Sequence, residues 1–322
     1  MLSHELLTQC RATLHGTGRV ADHPWHEAPG APARVTASPG LQLPTYRMTI
    51  LKALAVSGLS LALMAQAKAP DALVQARESY NNQRYDDAIR LAQDARATPA
   101  LEPGANVVLA RALLERFRQT GQASDVDLAR AVLKAIDVEA LSARDRVELA
   151  IALGTSLYLD ESYDFDDRFS AAAEQFELAL AHASLLDPRS RDQLFDWWAG
   201  SLDRQAQQGS EAARRVVYER ILARAEQEVA HDGYSAAAAY WLAASARGVG
   251  DLTRAMGAAV AGWVRAASLG PRGDSLRLDL DRLIQQVILP ERAREMVPNG
   301  DPHPTLALLQ QQWQQLREKW EP

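Results

Sequence analysis

From Pro70 onward, apolar residues recur at intervals of three and four, and no stretch alternates with the period of two that marks a strand. Short polar or glycine-bearing breaks divide this pattern: Asn81-Asn82, Gly121-Gln122, Asp187-Pro188, Gln208-Gly209-Ser210, Gly248-Val249-Gly250 and Gly270-Pro271. The spacing predicts helices over 70–81, 86–98, 105–119, 125–136, 143–159, 168–184, 188–207, 211–230, 235–247, 252–268, 275–288, 291–297 and 305–320. Two starts carry capping chemistry. Ser142 with Asp145 forms a capping-box pattern, and Asp187 precedes a first-turn proline. The helices fall mostly into pairs joined by short loops. Each pair cannot bury its apolar stripe alone, which predicts an all-α solenoid of antiparallel helix pairs.

The N-terminal 47 residues break the pattern. They hold the only cysteine, Cys10, four of the seven histidines and five of the fifteen prolines, with no apolar period. Such composition predicts disorder. A different layout begins at Met48. Lys52 is followed by the uncharged, largely apolar run Ala53–Met64, and then by the small-x-small sequence Ala65-Gln66-Ala67. This is the layout of a secretory signal peptide over 48–67, with cleavage after Ala67. The run is shorter than the roughly 20 residues needed to span a bilayer. Because a signal peptide sits at the start of a chain, Met48 is the expected true start. The mature protein is expected to cover 68–322, exported to the periplasm or beyond, with no membrane span after cleavage.

Within 68–322 there is no cysteine, so disulfides, thiolate catalysis and cysteine zinc sites are excluded there. The whole chain carries net charge −6, the wrong sign for a general nucleic-acid binder. Apolar residues make up 47 % and aromatic residues only 6 %. Alanine dominates, which favours helices whose backbones approach closely.

Two helix pairs share a spacing of small residues. Ala76, Ala88 and Ala95 are separated by 12 and 7 positions, as are Ala243, Ala255 and Gly262. The segments Arg84-Tyr85-Asp86-Asp87-Ala88-Ile89 and Gly250-Asp251-Leu252-Thr253-Arg254-Ala255 form the turn into the second helix of each pair. A third pair keeps Leu153-Gly154 against Ala172, Phe176, Ala179 and Leu180. In these features the chain resembles the tetratricopeptide-repeat superfamily over most of 70–268. The resemblance implies an α-solenoid whose first helices line a concave, ligand-holding surface. The segments Asp196-Trp197-Trp198-Ala199, Tyr240-Trp241-Leu242-Ala243, Gly262-Trp263-Val264-Arg265-Ala266 and Ile288–Arg294 are similar to exported bacterial repeat proteins to which no activity attaches. A fainter similarity runs to the periplasmic T-component of tripartite solute transporters, itself a tetratricopeptide protein.

Chemistry-bearing motifs are scarce. His182, His231 and His303 have no His, Cys or acidic neighbour at metal-ligand spacing. The acidic turn Asp160, Glu161, Asp164, Asp166, Asp167 lacks the oxygen ligands, central glycine and closing glutamate of an EF-hand. It reads as a solvated turn whose charges suit the positive end of the following helix. No phosphate loop, nucleophile elbow or dinucleotide fingerprint is present, so neither cofactor nor catalysis is expected. Of the tryptophans, adjacent Trp197 and Trp198 must face different sides of one helix. With the first helices lining a groove, the candidate binding patch is Trp198, Asp203, Arg204, Tyr240, Trp241 and Arg247, though Trp and Tyr at such positions also serve as core anchors. The last helix carries Leu306, Leu309, Trp313, Leu316 and Trp320 at spacings of 3, 4, 3 and 4, opposite a glutamine-rich face. It reads as a cap closing the array within a terminal region 268–322, or as a dimer seam.

The function expected is a non-catalytic scaffold that holds a protein or peptide in the bacterial envelope. The alternative is a small-molecule-binding transporter accessory with an enclosed pocket among Trp198, Trp241 and Trp263. A helical hydrolase would instead need two carboxylates about 5–10 Å apart facing one cleft. N-terminal sequencing of the exported protein should return Lys68; a mature chain that retains residues 1–67 would overturn the export reading.

Overall fold

The computed structural model describes residues 71–160 and 165–320; the expected leader over 1–47 and signal peptide over 48–67 lie outside them. The described residues are helical throughout, without strands. In chain order the α-helices are α1 (Ala72–Asn81), α2 (Tyr85–Ala95), α3 (Glu102–Thr120), α4 (Ala123–Lys134), α5 (Ala143–Tyr158), α6 (Phe165–Leu180), α7 (Pro188–Ala206), α8 (Glu211–His231), α9 (Ala236–Gly248), α10 (Leu252–Ala266), α11 (Pro271–Leu283), α12 (Leu289–Met296) and α13 (His303–Trp320). Short 3-10 turns at Val138–Ala140 and Ala183–Leu185, which the apolar period does not reveal, precede α5 and α7.

Consecutive helices pack in pairs, and the odd-numbered helices from α1 to α11 also touch one another in succession. The predicted caps form. Ser142 accepts the Asp145 amide N–H at 3.2 Å while its hydroxyl donates to the Asp145 carboxylate at 2.6 Å. Asp187 accepts the Ser190 N–H at 3.0 Å, and Pro188 sits in the first turn, where a missing N–H costs nothing. Gly121 ends α3 with φ +71°, a left-handed cap that lets its N–H reach the Phe117 carbonyl at 2.7 Å.

One predicted break is absent. Instead of ending before Pro290, the helix runs on from α11 into α12 through a π turn at Ile284–Ile288. The Leu289 N–H reaches back to the Ile284 carbonyl. The widened turn takes up the missing donor and the ring of Pro290, which would break a regular helix interior.

The small residues lie where pairs cross. Ala76, Ala88, Ala243 and Ala255 have no exposed surface, and Ala95 is 1 % exposed. A Cβ at Gly262 would stand 2.9 Å from Leu280 Cδ1 and 3.4 Å from the Ala239 Cβ. At Gly154 a Cβ would stand 2.6 Å from the Phe176 ring, so the ring occupies the space that glycine leaves.

The core follows the chain. One cluster spans α1 to α5, a second spans α5 to α9, and a third joins α8, α9, α10 and the C-terminal helices. In the third, α13 inserts a single buried residue, Trp313, edge-on to Trp263 at 5.5 Å between ring centres. The Trp313 indole N–H donates to Asp281 at 2.8 Å, and Arg317 pairs with the same carboxylate at 3.2 Å. Leu306, Leu309 and Leu316 lie half-buried against the cluster, while Trp320 at the end of the stripe is exposed.

Helix α7 departs from sequence-neighbour packing. Gln193 donates to Glu115 of α3 at 3.1 Å, Asn81 of α1 donates to Asp187 at 3.2 Å, and the Arg118 guanidinium lies 5.6 Å from the centre of the Trp197 ring. Val107–Glu115 in α3 and Leu194–Leu202 in α7 are buried on every face.

Ala88→Leu and Ala255→Leu each add bulk where helices touch and should lower stability by about 1–3 kcal/mol. Urea denaturation followed by tryptophan fluorescence measures the loss, and midpoints equal to the parent's would show that the crossings have room.

Candidate functional site

The six candidate residues separate by environment. Trp198 and Trp241 are 2 % and 3 % exposed. The Trp198 indole N–H donates to Glu177 of α6 at 3.3 Å, and its ring lies 5.7 Å from Phe195 and 5.5 Å from the Arg220 guanidinium of α8. Its neighbour Trp197 turns to the other side of α7, against Tyr158 at 4.8 Å and Phe176 at 6.0 Å. Trp241 donates to the buried carboxylate of Asp196 at 2.8 Å and stands edge-on to Tyr240 at 5.3 Å. Both indoles sit inside the core with their polar atoms satisfied.

The other four are half-buried: Asp203 and Arg204 near the C-terminal end of α7, Arg247 near that of α9, and Tyr240 in the first half of α9. Asp203 accepts the Tyr218 hydroxyl at 2.7 Å and the Gln207 amide at 2.9 Å. The Arg247 guanidinium makes a two-pronged pair with Glu291 of α12, its Nε 2.9 Å from Oε2. Arg204 lies 5.9 Å from the Phe169 ring centre. Burial and then the charge of Asp203 push the Tyr240 and Tyr218 hydroxyls well above the ordinary tyrosine range. Tyr218, from α8, was not among the candidates. Its ring fills the space over Gly248, where a Cβ would collide with it. The arrangement joins α7, α8, α9 and α12 through polar groups that satisfy one another.

Sequence reading missed a second polar arrangement, an ionic seam inside the first half of the chain. Glu148 of α5 is 1 % exposed and is surrounded by Arg144 at 2.9 Å, Arg77 at 3.2 Å and Arg111 at 3.9 Å. Arg77 also pairs with Asp145. Arg111 stacks on Tyr80 at 4.2 Å from the ring centre. Glu115, 2 % exposed, accepts from Arg118 at 2.7 Å and from Gln193. Burial alone would raise the Glu148 pKa, but the three guanidinium groups outweigh it and hold the carboxyl below the usual range. Burial pushes the Tyr80 hydroxyl up to about 12. The available signal was Arg111-x-x-x-Glu115-x-x-Arg118, with Arg111 inside the otherwise apolar run Val107–Leu114.

Only part of the acidic turn lies within the described residues. Asp160 is buried and pairs with Arg130 at 2.8 Å, and its carbonyl accepts from Arg168 at 3.0 Å. Glu161 and Asp164 lie outside the described residues. Among the described residues no group of three His, Cys, Asp or Glu side chains is placed to hold a metal ion. His182, His231 and His303 are exposed.

An open polar groove of about 550 Å³ lies where the α1–α2 turn meets the end of α3. Gln83, Arg84, Tyr85, Arg116, Gln119 and Gln122 contribute to its lining, with Asp86 and Asp87 at one side. Arg116 is fixed between Asp125 at 2.8 Å and Asp86 at 2.7 Å, leaving the Arg84 and Gln119 side chains as exposed parts of the wall. None of the six candidates lines it. Comparison with family models, curated proteins and solved structures returned no match.

Glu148→Gln leaves three guanidinium groups facing a neutral amide. At pH 7 it should cost about 3–5 kcal/mol, the cost of breaking a buried ion pair. The carboxyl's folded pKa is depressed, so the wild type keeps this contribution above the ordinary glutamate value of about 4.3 and loses it as pH falls through the folded value. The gap between variant and parent should therefore narrow below pH ~4 in urea titrations; a constant gap would contradict the assignment.

Proposed function

We propose that the chain is a non-catalytic, tetratricopeptide-like α-solenoid that binds a protein or peptide after export to the bacterial envelope. The observation that carries this reading is the consecutive pairing of helices with Ala76, Ala88, Ala243 and Ala255 buried completely at the crossings. That is the packing which the family resemblance implies. The C-terminal helix, seated through Trp313 with its glutamine face outward, supports a capping role for it. The export part rests on the layout of residues 48–67, and no helix among the described residues is long and apolar enough to cross a membrane.

Where a partner would sit follows from burial. The middle of α3 and of α7 has no solvent-facing side, so those helices offer no open groove along their length. Trp198, Trp241 and Trp263 fill the core themselves, at 2 %, 3 % and 3 % exposure, which lends no support to an enclosed pocket among them. The groove beside the α1–α2 turn is open, polar and of mixed charge. Such a wall suits the amide groups and charged side chains of an extended peptide more than an apolar small molecule.

Affinity capture from native envelope extract with the full chain, tagged at its C-terminus, tests the reading. One protein should be recovered repeatedly and in proportion to bait. Its recovery should fall at least about tenfold, about 1.4 kcal/mol, with the exposed-residue variant Arg84→Glu/Gln119→Ala, whose helix content stays unchanged. Recovery of no protein would sink the scaffold reading; undiminished recovery with the variant would remove the groove from it.

A further inference from the structure

Helix α7 grips α9 through two carboxylates one turn apart on the same face. Asp192 accepts the Ser235 hydroxyl and the Ala237 amide N–H at 3.2 Å, so it closes the N-terminus of α9 from a different helix. Asp196 accepts the Trp241 indole N–H at 2.8 Å, four residues further along α9. Residues four apart on a helix are surface neighbours, and like charges at that spacing repel. The two carboxylates thus hold α9 at two successive levels while opposing each other.

The surroundings of the pair come from four other helices. From α3, Arg118 attracts Asp196, although Arg118 also bonds Glu115 at 2.7 Å. From α5, Tyr158 faces Asp196, and from α9, Tyr240 does so. From α11, Arg272 stands 3.7 Å from Asp192 and is half exposed. Asp196 is 6 % exposed, and the Asp192 side chain 13 %. This balance is opposite to that at Glu148. There, cations outweigh burial; here, burial outweighs the Trp241 hydrogen bond and the Arg118 attraction, raising the Asp196 carboxyl to about 7. Burial likewise raises Asp192 to about 6, against the pull of Ser235 and Arg272.

We propose that Asp192 and Asp196 form a proton-sensitive clasp that holds α9, and the C-terminal helices packed on it, more tightly against α7 when the pair is protonated. The sign follows from linkage. A carboxyl whose folded pKa lies above its unfolded value binds more protons in the closed state, so closure weakens as pH rises between the two. Each proton changes the opening equilibrium by at most about tenfold per pH unit. Carboxyl groups with depressed values, such as Glu148, Asp187 and Glu228, act mainly below pH ~5 and with the opposite sign. The window from pH 5 to 7 therefore isolates the clasp.

Hydrogen exchange of the full chain, followed by mass spectrometry and corrected for intrinsic rates, reads the clasp locally. Opening of α9 should rise more than about tenfold from pH 5 to 7 while α3 changes little. In Asp192→Asn/Asp196→Asn the α9 rise should vanish, because an amide keeps an acceptor for Trp241 and Ser235 but does not titrate. An equal rise in parent and variant, or a rise shared by α3, would overturn the proposal. Should the double variant fail to fold, Trp241→Phe provides the second test. Losing the indole N–H removes a group that favours the charged carboxylate, so the midpoint of the α9 transition should move to higher pH. A midpoint that stays in place would also overturn it.

Discussion

The constraint on which the structure depends is that two of its helices, α3 and α7, are buried on every face through their middle turns. A helix with an exposed side can send its charged residues to water. These two cannot, so Arg111, Glu115 and Asp196 draw on groups from neighbouring helices. That requirement joins segments far apart in sequence: Arg111 to Glu148, Glu115 to Gln193, and Asp196 to Trp241. Apolar packing supplies most of the driving force. The polar joints decide which helix meets which and at what level, because a slip of one turn would strand a charge in the core.

The joints are of two electrostatic kinds. Around Glu148 three guanidinium groups converge, and around Glu228 two, Arg191 at 2.9 Å and Arg224 at 2.8 Å. Both carboxyls are depressed, so these joints stay ionised across the neutral range. At the α7–α9 joint carboxylates stand beside each other, and the groups of α9 and its N-cap that donate to them are neutral: an indole, a hydroxyl and a backbone amide. Desolvation then dominates. The joints at Glu148 and Glu228 are thus held by ion pairs, and the α7–α9 joint by carboxylates that burial pushes toward neutrality.

Much of the helical layout was legible in the sequence because it is local. The 3.6-residue period located each helix to within a few residues. Ser142 and Asp187 marked true starts, and the 12-and-7 spacing of Ala76, Ala88 and Ala95 fell on contact positions. The exception at Pro290 is instructive: the residue implies a break, but a π turn accommodates it when Ile284, Ile288 and Leu289 are all held in the core. The candidate patch was less legible. Trp198 and Trp241 could be assigned to core or groove only by knowing how α6, α7, α8 and α9 pack on one another. That packing leaves no period in the chain. Tyr218 escaped notice for the same reason, since its role depends on the bare backbone of Gly248 on the next helix.

The fold-back of α7 also bears on how a helix-pair chain can bind. In an array whose helices touch only sequence neighbours, the faces of the first helices remain open along the whole length. Here Asn81–Asp187, Glu115–Gln193 and Arg118–Trp197 contacts bring side chains of α7 to α1 and α3 across the first-helix side of the array. Under the proposed binding role, recognition would fall at the edges, where helix ends and turns expose side chains. The α1–α2 turn is such an edge. Gln83 adopts φ +59° there, and its backbone N–H is bonded to Tyr80, so the turn is shaped by its own hydrogen bonds before any ligand arrives. A wall already set in this way would lower the ordering cost of binding the proposed partner.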